Sequence, residues 1–373
     1  MKNILLVLRE PFLDRIPSLK SLLWFLANKG YKITIITSES KNFTLMSFNH
    51  DKIRVLKVKQ RRHMLELPTS VKIVLRSILY IAFNRIDFII GGDMIGNIIS
   101  TKIASLFNCK HVFFMLEYPQ IPTNKHPQLN RLQKYENVAI CKADCIITHD
   151  KWHKQFLVDN YKLPHDKIFL LPNASFTPEF TFKSNFLQER LKLSNKIIVL
   201  HSGGFGRWFK CKELADSAIN WSDHVKLIFH MSHRLDGDLY FENIYTHHSD
   251  NVCFSLEPVL THELDMLVAS ADIGIALYSV DELEYRATLI GLAAGKIGNY
   301  LKCGVPVIAT RLQSLSYIEE YGCGILVDDE KDIINAIECI MSNRALYSQN
   351  AYQCYRTLWH PEKYLNSILT FFS

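Results

Sequence analysis

Thirteen short apolar runs, each five to seven residues long and mostly rich in β-branched residues, recur along this chain with amphipathic stretches between them. That rhythm constrains the fold more than any single residue. The runs do not alternate apolar with polar, so they read as strands buried on both faces, which is the habit of parallel sheets. The first set is NILLVL (3–8), KITIIT (32–37), IRVLKV (53–58), DFIIGG (87–92), KHVFFML (110–116), CIITHD (145–150) and KIFLLP (167–172). Helical periodicity fills gaps such as 16–29 and 97–107. Strand–helix–strand repetition predicts a doubly wound α/β sheet.

The rhythm then breaks and restarts. Pro172, Asn173 and Pro178 in LLPNASFTPEFTFKSN mark a linker. The second set is KIIVLHS (196–202), VKLIFHM (225–231), NVCFSL (251–256), DIGIAL (272–277), PVIAT (306–310) and GILVD (324–328), with helices expected near 211–220, 261–270 and 296–303. Two Rossmann-like domains follow, 1–175 and 176–350. Residues 351–373 are expected as closing helices that pack back on the first domain. A length of 373 residues suits two such domains. Ligands of open parallel sheets bind beyond the carboxyl ends of the strands, so the cleft between two sheets is the expected site.

Composition excludes several classes. With 48% hydrophobic and 21% charged residues the chain builds ordinary cores and is not disordered. A net charge of +6 is too mild to imply nucleic-acid binding. MKNILLVLRE is too short an apolar run for a signal peptide and reads as the first strand. No window reaches the length of a membrane span. Nine cysteines without paired or zinc-site spacing predict reduced thiols and a cytoplasmic protein.

Two loops in the second half suit an anion. In LHSGGFGRWFKCKEL (200–214) a strand ends, Gly203 and Gly204 turn, and a helix begins near Cys211. Backbone N–H groups and the helix dipole at such a junction hold phosphate. Arg207, Lys210 and Lys212 add charge. The spacing is neither a P-loop nor GxGxxG. In GLAAGKIGNYLKCGVPVIAT (291–310), Gly291 to Gly295 form a loop, Ala294 and Gly295 adjoin the helix start, and Lys296 stands at its head. Lys296 can pair with a diphosphate, and Asn299 can hydrogen-bond a ribose or sugar hydroxyl. Alternatively these are tight turns with solvated charge.

In the first half, Glu117 follows a strand in FFMLEYPQIP, at its carboxyl end, where a carboxylate can accept a proton. His149-Asp150 ends the next strand. Arg9, Asp14 and Arg15 in REPFLDRIPS can meet an anionic or polyhydroxyl ligand. Asp236-Gly237-Asp238 matches a metal-binding DxD, but Asp-Gly-Asp is a common turn. Between 51 and 90 stand nine Lys/Arg against three acids, mixed with apolar residues in SVKIVLRSILYIAF. Two readings stand there: a core helix with a solvated basic face, and contact with an anionic membrane.

Three stretches, SGGFGRW, ASADIGIALYSV and GLAAGKIGNYLKCGVPVIAT, resemble the donor domain of GT-B glycosyltransferases of the family 4-like group. DFIIGGDMIGNIISTKIASLFNCKHVFFMLEYP and KADCIITHDKWHKQFLV resemble its acceptor domain. The resemblance implies a GT-B fold with an interdomain cleft and transfer of a hexose from a nucleotide-diphosphate sugar to a saccharide acceptor. It further implies retention of configuration and a place in bacterial surface polysaccharide assembly such as lipopolysaccharide, with a lipid-linked acceptor at the membrane. No metal or other cofactor is expected, since basic residues hold the diphosphate. Carried over residue by residue, Glu117, Arg207 and Lys296 take catalytic roles. Gly203, Gly204, Lys212, Ala294, Gly295 and Asn299 bind the donor; Arg9, Asp14 and Arg15 meet the acceptor. The family often has two glutamates eight residues apart in the third stretch. Here Gly291 and Asn299 stand in those places, and Glu282 or Glu284 could supply the missing carboxylate. Two rivals share the fold: a non-hydrolysing nucleotide-sugar epimerase and a non-catalytic partner subunit.

Overall fold

The computed structural model describes residues 2–11, 13–39, 48, 50–60, 66–119, 127–233, 235–260 and 262–373, and of 14 and 127–130 only the backbone. The chain divides into two compact units, Met1–Phe176 with Pro361–Ser373, and Thr177–His360. The expected boundary after 175 is one residue early. The C-terminal stretch is shared between the units. Residues 351–360 stay with the second unit, where buried Trp359 packs on Gly298 so closely that a Cβ there would lie 2.6 Å from its ring. The last helix joins the first unit.

The first unit is a seven-stranded parallel sheet in the order β3-β2-β1-β4-β5-β6-β7. Its strands are β1 (Asn3–Leu8), β2 (Lys32–Glu39), β3 (Ile53–Lys59), β4 (Phe88–Gly92), β5 (Lys110–Phe114), β6 (Cys145–Thr148) and β7 (Ile168–Leu170). The helices are α1 (Pro17–Asn28), α2 (Thr69–Phe83), α3 (Asp93–Phe107), α4 (Pro127–Lys142) and α5 (Lys151–Tyr161). Central β1 is buried on both sides, as its unbroken apolar run requires. Ile4, Leu6 and Leu8 meet α1 and the last helix, while Leu5 and Val7 meet α2 and α3. That last helix is anchored by the Tyr31 hydroxyl, which donates to the Phe372 carbonyl (2.8 Å), and by Phe88 against Phe372.

The second unit is a six-stranded parallel sheet in the order β10-β9-β8-β11-β12-β13. Its strands are β8 (Ile197–Gly203), β9 (Val225–Met231), β10 (Val252–Ser255), β11 (Ile273–Ala276), β12 (Val307–Thr310) and β13 (Gly324–Val327). Its helices are α6 (Phe186–Leu191), α7 (Cys211–Ser217), α8 (Leu239–Thr246), α9 (Leu264–Ala269), α10 (Val280–Leu283), α11 (Tyr285–Thr288), α12 (Gly295–Lys302), α13 (Tyr317–Glu320), α14 (Ile333–Ser342) and α15 (Arg344–Cys354). The chain-terminal α16 (Glu362–Phe372) belongs to the first unit.

In each unit the strand order reverses once, between β1 and β4 and between β8 and β11. Crevices form at such switch points. In the second unit the sheet lets α12 sit close: a Cβ on Gly274 of β11 would lie 2.4 Å from the Tyr300 ring. The buried Tyr300 hydroxyl donates to the Leu200 carbonyl and accepts the Ser202 N–H, both at 2.9 Å. This ties the last turn of α12 to the end of β8.

Candidate functional site

The loop leaving β8 takes its shape from its glycines. Gly203 has φ 114°, a left-handed conformation that side chains resist. A Cβ on Gly204 would lie 2.5 Å from the Phe209 ring. A short turn, Arg207–Phe209, leads through Lys210 into α7. Facing this loop is Lys296, in the first turn of α12. Its ammonium lies 3.8 Å from the centre of the Phe209 ring and 3.4 Å from His201 Nε2. A Cβ on Gly203 would stand 4.0 Å from its Cε.

His201 is the residue that sequence reasoning passed over. It is buried at the end of β8, and its Nε2–H donates to the Gly204 carbonyl (2.9 Å). Its Nδ1 is buried without a partner among the described residues. Burial first, and then the Lys296 charge, hold its pKa well below the ordinary histidine value. The imidazole is therefore neutral at pH 7 and serves as a pin for the loop. Phe209 was likewise missed; its one sequence signal is its place beside the glycines.

Lys296 is half-buried, and burial lowers its pKa to about 8, with nearby Cys211 acting weakly in the opposite sense. A helix N-terminus carries partial positive charge, so a lysine there adds like to like. No side chain caps α12. Among the described residues neither Lys296 nor Arg207 has a carboxylate within ion-pair distance, and Arg207 lies exposed over the Tyr240 ring (5.5 Å). The neighbouring cations are already matched. Lys210 pairs with Glu330, and Lys212, exposed on α7, pairs with Asp216 (2.6 Å). The second unit thus concentrates uncompensated positive charge at its switch point, beside Gly203, Gly204, Ala294 and Gly295. Half-buried Asn299 stands one turn further along α12. Gly291 has φ 42°, and its N–H donates to Ser314 Oγ (3.3 Å).

The first unit is electrostatically different. Arg9 pairs with its neighbour Glu10. Arg15 is exposed, and the Asp14 side chain lies outside the described residues. Glu117 is exposed in the loop after β5. His149 and Asp150 are used inside the fold: the His149 ring bridges the Leu171 and Leu116 carbonyls, and Asp150 caps α5 by accepting from the Trp152 and His153 N–H groups. At the β1–β4 switch point sits Asp93, a non-glycine at φ 58°, whose Oδ1 accepts the Gly96 N–H (2.7 Å). Burial, with the Glu10 charge adding to it, raises its pKa to about 6. Glu136 on α4 is raised to about 7 by burial, with Asp93 adding. Neither carboxylate was singled out from the sequence, where isolated acids carry no spacing signal.

Asp238 accepts from the Tyr240 and Phe241 N–H groups and caps α8, and Gly237 turns at φ 79°. The Asp-Gly-Asp triplet is thereby accounted for as a helix start. Among the described residues no group of three His, Cys, Asp or Glu side chains is placed to hold a metal ion. All nine cysteines are free thiols. No described helix is long and apolar enough to cross a membrane.

No family model matches this sequence, and no curated protein matches it. Solved structures do match. Sucrose-phosphate synthase from Thermosynechococcus elongatus is 16% identical, with 100% of this chain and 98% of that one covered and a TM-score of 0.78. HepE of Anabaena, in complex with UDP-glucose, is 15% identical over 100% and 99%, with a TM-score of 0.72. A protein from Listeria monocytogenes described as a putative UDP-N-acetylglucosamine 2-epimerase is 13% identical over 100% and 96%, with a TM-score of 0.61. The chain has the GT-B fold of nucleotide-sugar glycosyltransferases.

Proposed function

We propose that this protein is a glycosyltransferase that moves a sugar from a nucleotide-diphosphate sugar to a saccharide acceptor. One observation carries the reading. A half-buried ammonium, Lys296, faces a glycine-shaped loop at the head of an uncapped helix and has no carboxylate partner among the described residues. A site of fixed positive charge matches a leaving diphosphate, and stabilising charge as it develops is usually the largest catalytic effect. Lys296 and Arg207 meet the phosphates. The N–H groups around Gly203, Gly204, Ala294 and Gly295 add dipoles, and Asn299 reaches the ribose or sugar. With these cations in place, transfer proceeds without a metal ion.

The first unit takes the acceptor, with Glu117 at the transferred sugar or the acceptor hydroxyl and Arg9, Asp14 and Arg15 around it. We assign the acceptor to bacterial surface polysaccharide assembly and transfer to the retaining class, both supported by the resemblance of 269–310 to family 4-like donor domains. The epimerase reading draws on the likeness to the Listeria structure. It needs a ring-deprotonating acid/base pair in the donor unit, where the described groups near Lys296 are a neutral histidine and a cysteine.

The test is Lys296→Ala. The expected result is a loss of kcat/KM of at least about a hundredfold, comparable to removing an oxyanion donor, with the fold retained as judged by the circular dichroism spectrum. Near-normal turnover would remove Lys296 from the chemistry. Nucleoside diphosphate released only when a saccharide acceptor is present separates transfer from epimerisation.

A further inference from the structure

The turn Arg207–Phe209 places an indole in solvent beside the glycine-shaped loop. Trp208 is 46% exposed, the most exposed of the five tryptophans. An indole in water forgoes much of the apolar burial that its area offers.

The ring is nonetheless held in place. It lies on buried Gly206, where a Cβ would stand 2.9 Å from two of the indole carbons. It meets the Phe209 ring at 64°, with centroids 6.1 Å apart, and Phe209 in turn carries the Lys296 ammonium over its ring. The Trp208 carbonyl accepts the Ser279 N–H (3.0 Å), and the Ser279 hydroxyl accepts the Glu282 N–H (3.3 Å) as the cap of α10. The turn and α10 therefore pack together. Val280, 43% exposed, opens α10, and Asp281 and Glu282 follow it as exposed carboxylates. Arg207, next to the indole in the chain, is exposed as well.

That combination selects a guest. A pyranose ring offers a flat C–H face to an indole and several hydroxyl donors at its rim. Carboxylates only accept hydrogen bonds, so they match those hydroxyls. A uracil edge, with two carbonyl acceptors and one N–H, matches them poorly. We propose that Trp208 is the stacking platform for a pyranose ring, with Asp281 and Glu282 accepting from its hydroxyls. The proposal rests on the sugar-transfer reading, which supplies a pyranose from the donor or from the acceptor.

The experiment is saturation-transfer NMR on the full chain with three probes, UDP, UDP-glucose and maltose. Pyranose protons should be saturated in the wild type. Trp208→Ala should weaken pyranose binding about two- to tenfold, while the uridine protons of UDP keep their saturation. Trp208→Phe should restore most of the loss. Gly206→Ala drives a Cβ into the indole without removing it, and should weaken pyranose binding about twofold. Circular dichroism spectra should be unchanged in every variant. A loss confined to the glucose ring of UDP-glucose assigns the platform to the donor sugar, and a loss confined to maltose assigns it to the acceptor. Equal pyranose saturation in wild type and Trp208→Ala overturns the proposal, as does its absence in the wild type with both sugars. Loss of uracil saturation in place of pyranose saturation overturns it too, and gives the indole to the base. UDP binding that survives Lys296→Ala would count against the diphosphate site alone and leave the Trp208 comparison readable.

Discussion

The two units carry the same architecture and opposite charge at the same topological place. At the β8–β11 switch point the head of α12 presents Lys296, a cation where the helix dipole is already positive. At the β1–β4 switch point the head of α3 presents Asp93, an anion that accepts a backbone N–H and is backed by Glu136. A carboxylate at a helix start answers the dipole from within, and a lysine leaves it to be answered from outside. One helix head thus carries its own anion, whose Oδ2 is buried without a partner among the described residues, and the other carries a cation. A parallel sheet with a switch point provides a crevice, and the residue heading the adjacent helix decides what it attracts.

The largest effect that would sharpen this contrast is a pH dependence. Lys296, lowered to about 8 in the folded chain, loses its charge as pH rises through that value. Affinity for UDP, measured by calorimetry, should fall about tenfold between pH 7 and pH 9.5, with proton uptake on binding near pH 8. The folded state binds fewer protons than the unfolded chain between pH 8 and the ordinary lysine range. Stability without ligand should therefore rise over the window in which affinity falls. Lys296→Met should abolish both slopes, and a pH-independent affinity would break the comparison.

The second test acts on the first unit. Asp93 and Glu136 are raised to about 6 and 7, so the folded state binds more protons than the unfolded one from about pH 4 to 7. Stability is full below that window and is lost as pH rises through it. Glu136→Gln should recover about 1–3 kcal/mol at pH 8 and flatten the decline, as chemical denaturation at several pH values will show. An unchanged pH profile would mean that the two carboxylates are not coupled to folding.

The smallest effect concerns Lys212. Its exposed pair with Asp216 is one helical turn long and contributes about 0.3–0.5 kcal/mol. Lys212→Ala should shift the melting temperature by about a degree and alter UDP affinity by less than about threefold. Loss of binding as large as that of Lys296→Ala would show that Lys212 leaves Asp216 for the ligand.

The chain's own order of residues determined its layers. Each of the thirteen apolar runs became a strand, with boundaries moved by no more than two residues at either end, because a run buried on both faces is specified by hydrophobicity alone. Gly203, Gly204 and Lys296 were also legible, since a glycine turn after a strand and a lysine heading a helix are local features. What only the tertiary structure decided were partnerships between distant residues. Lys296 meets His201 and Phe209, 95 and 87 positions away by number, because Tyr300 ties α12 to β8. Lys210 is neutralised by Glu330, 120 positions on. Asp93 and Glu136 become neighbours only when α3 and α4 pack on the sheet. The outward face of α2 has the same cause: periodicity shows that a helix has two sides, and the sheet it packs against selects which one meets the solvent.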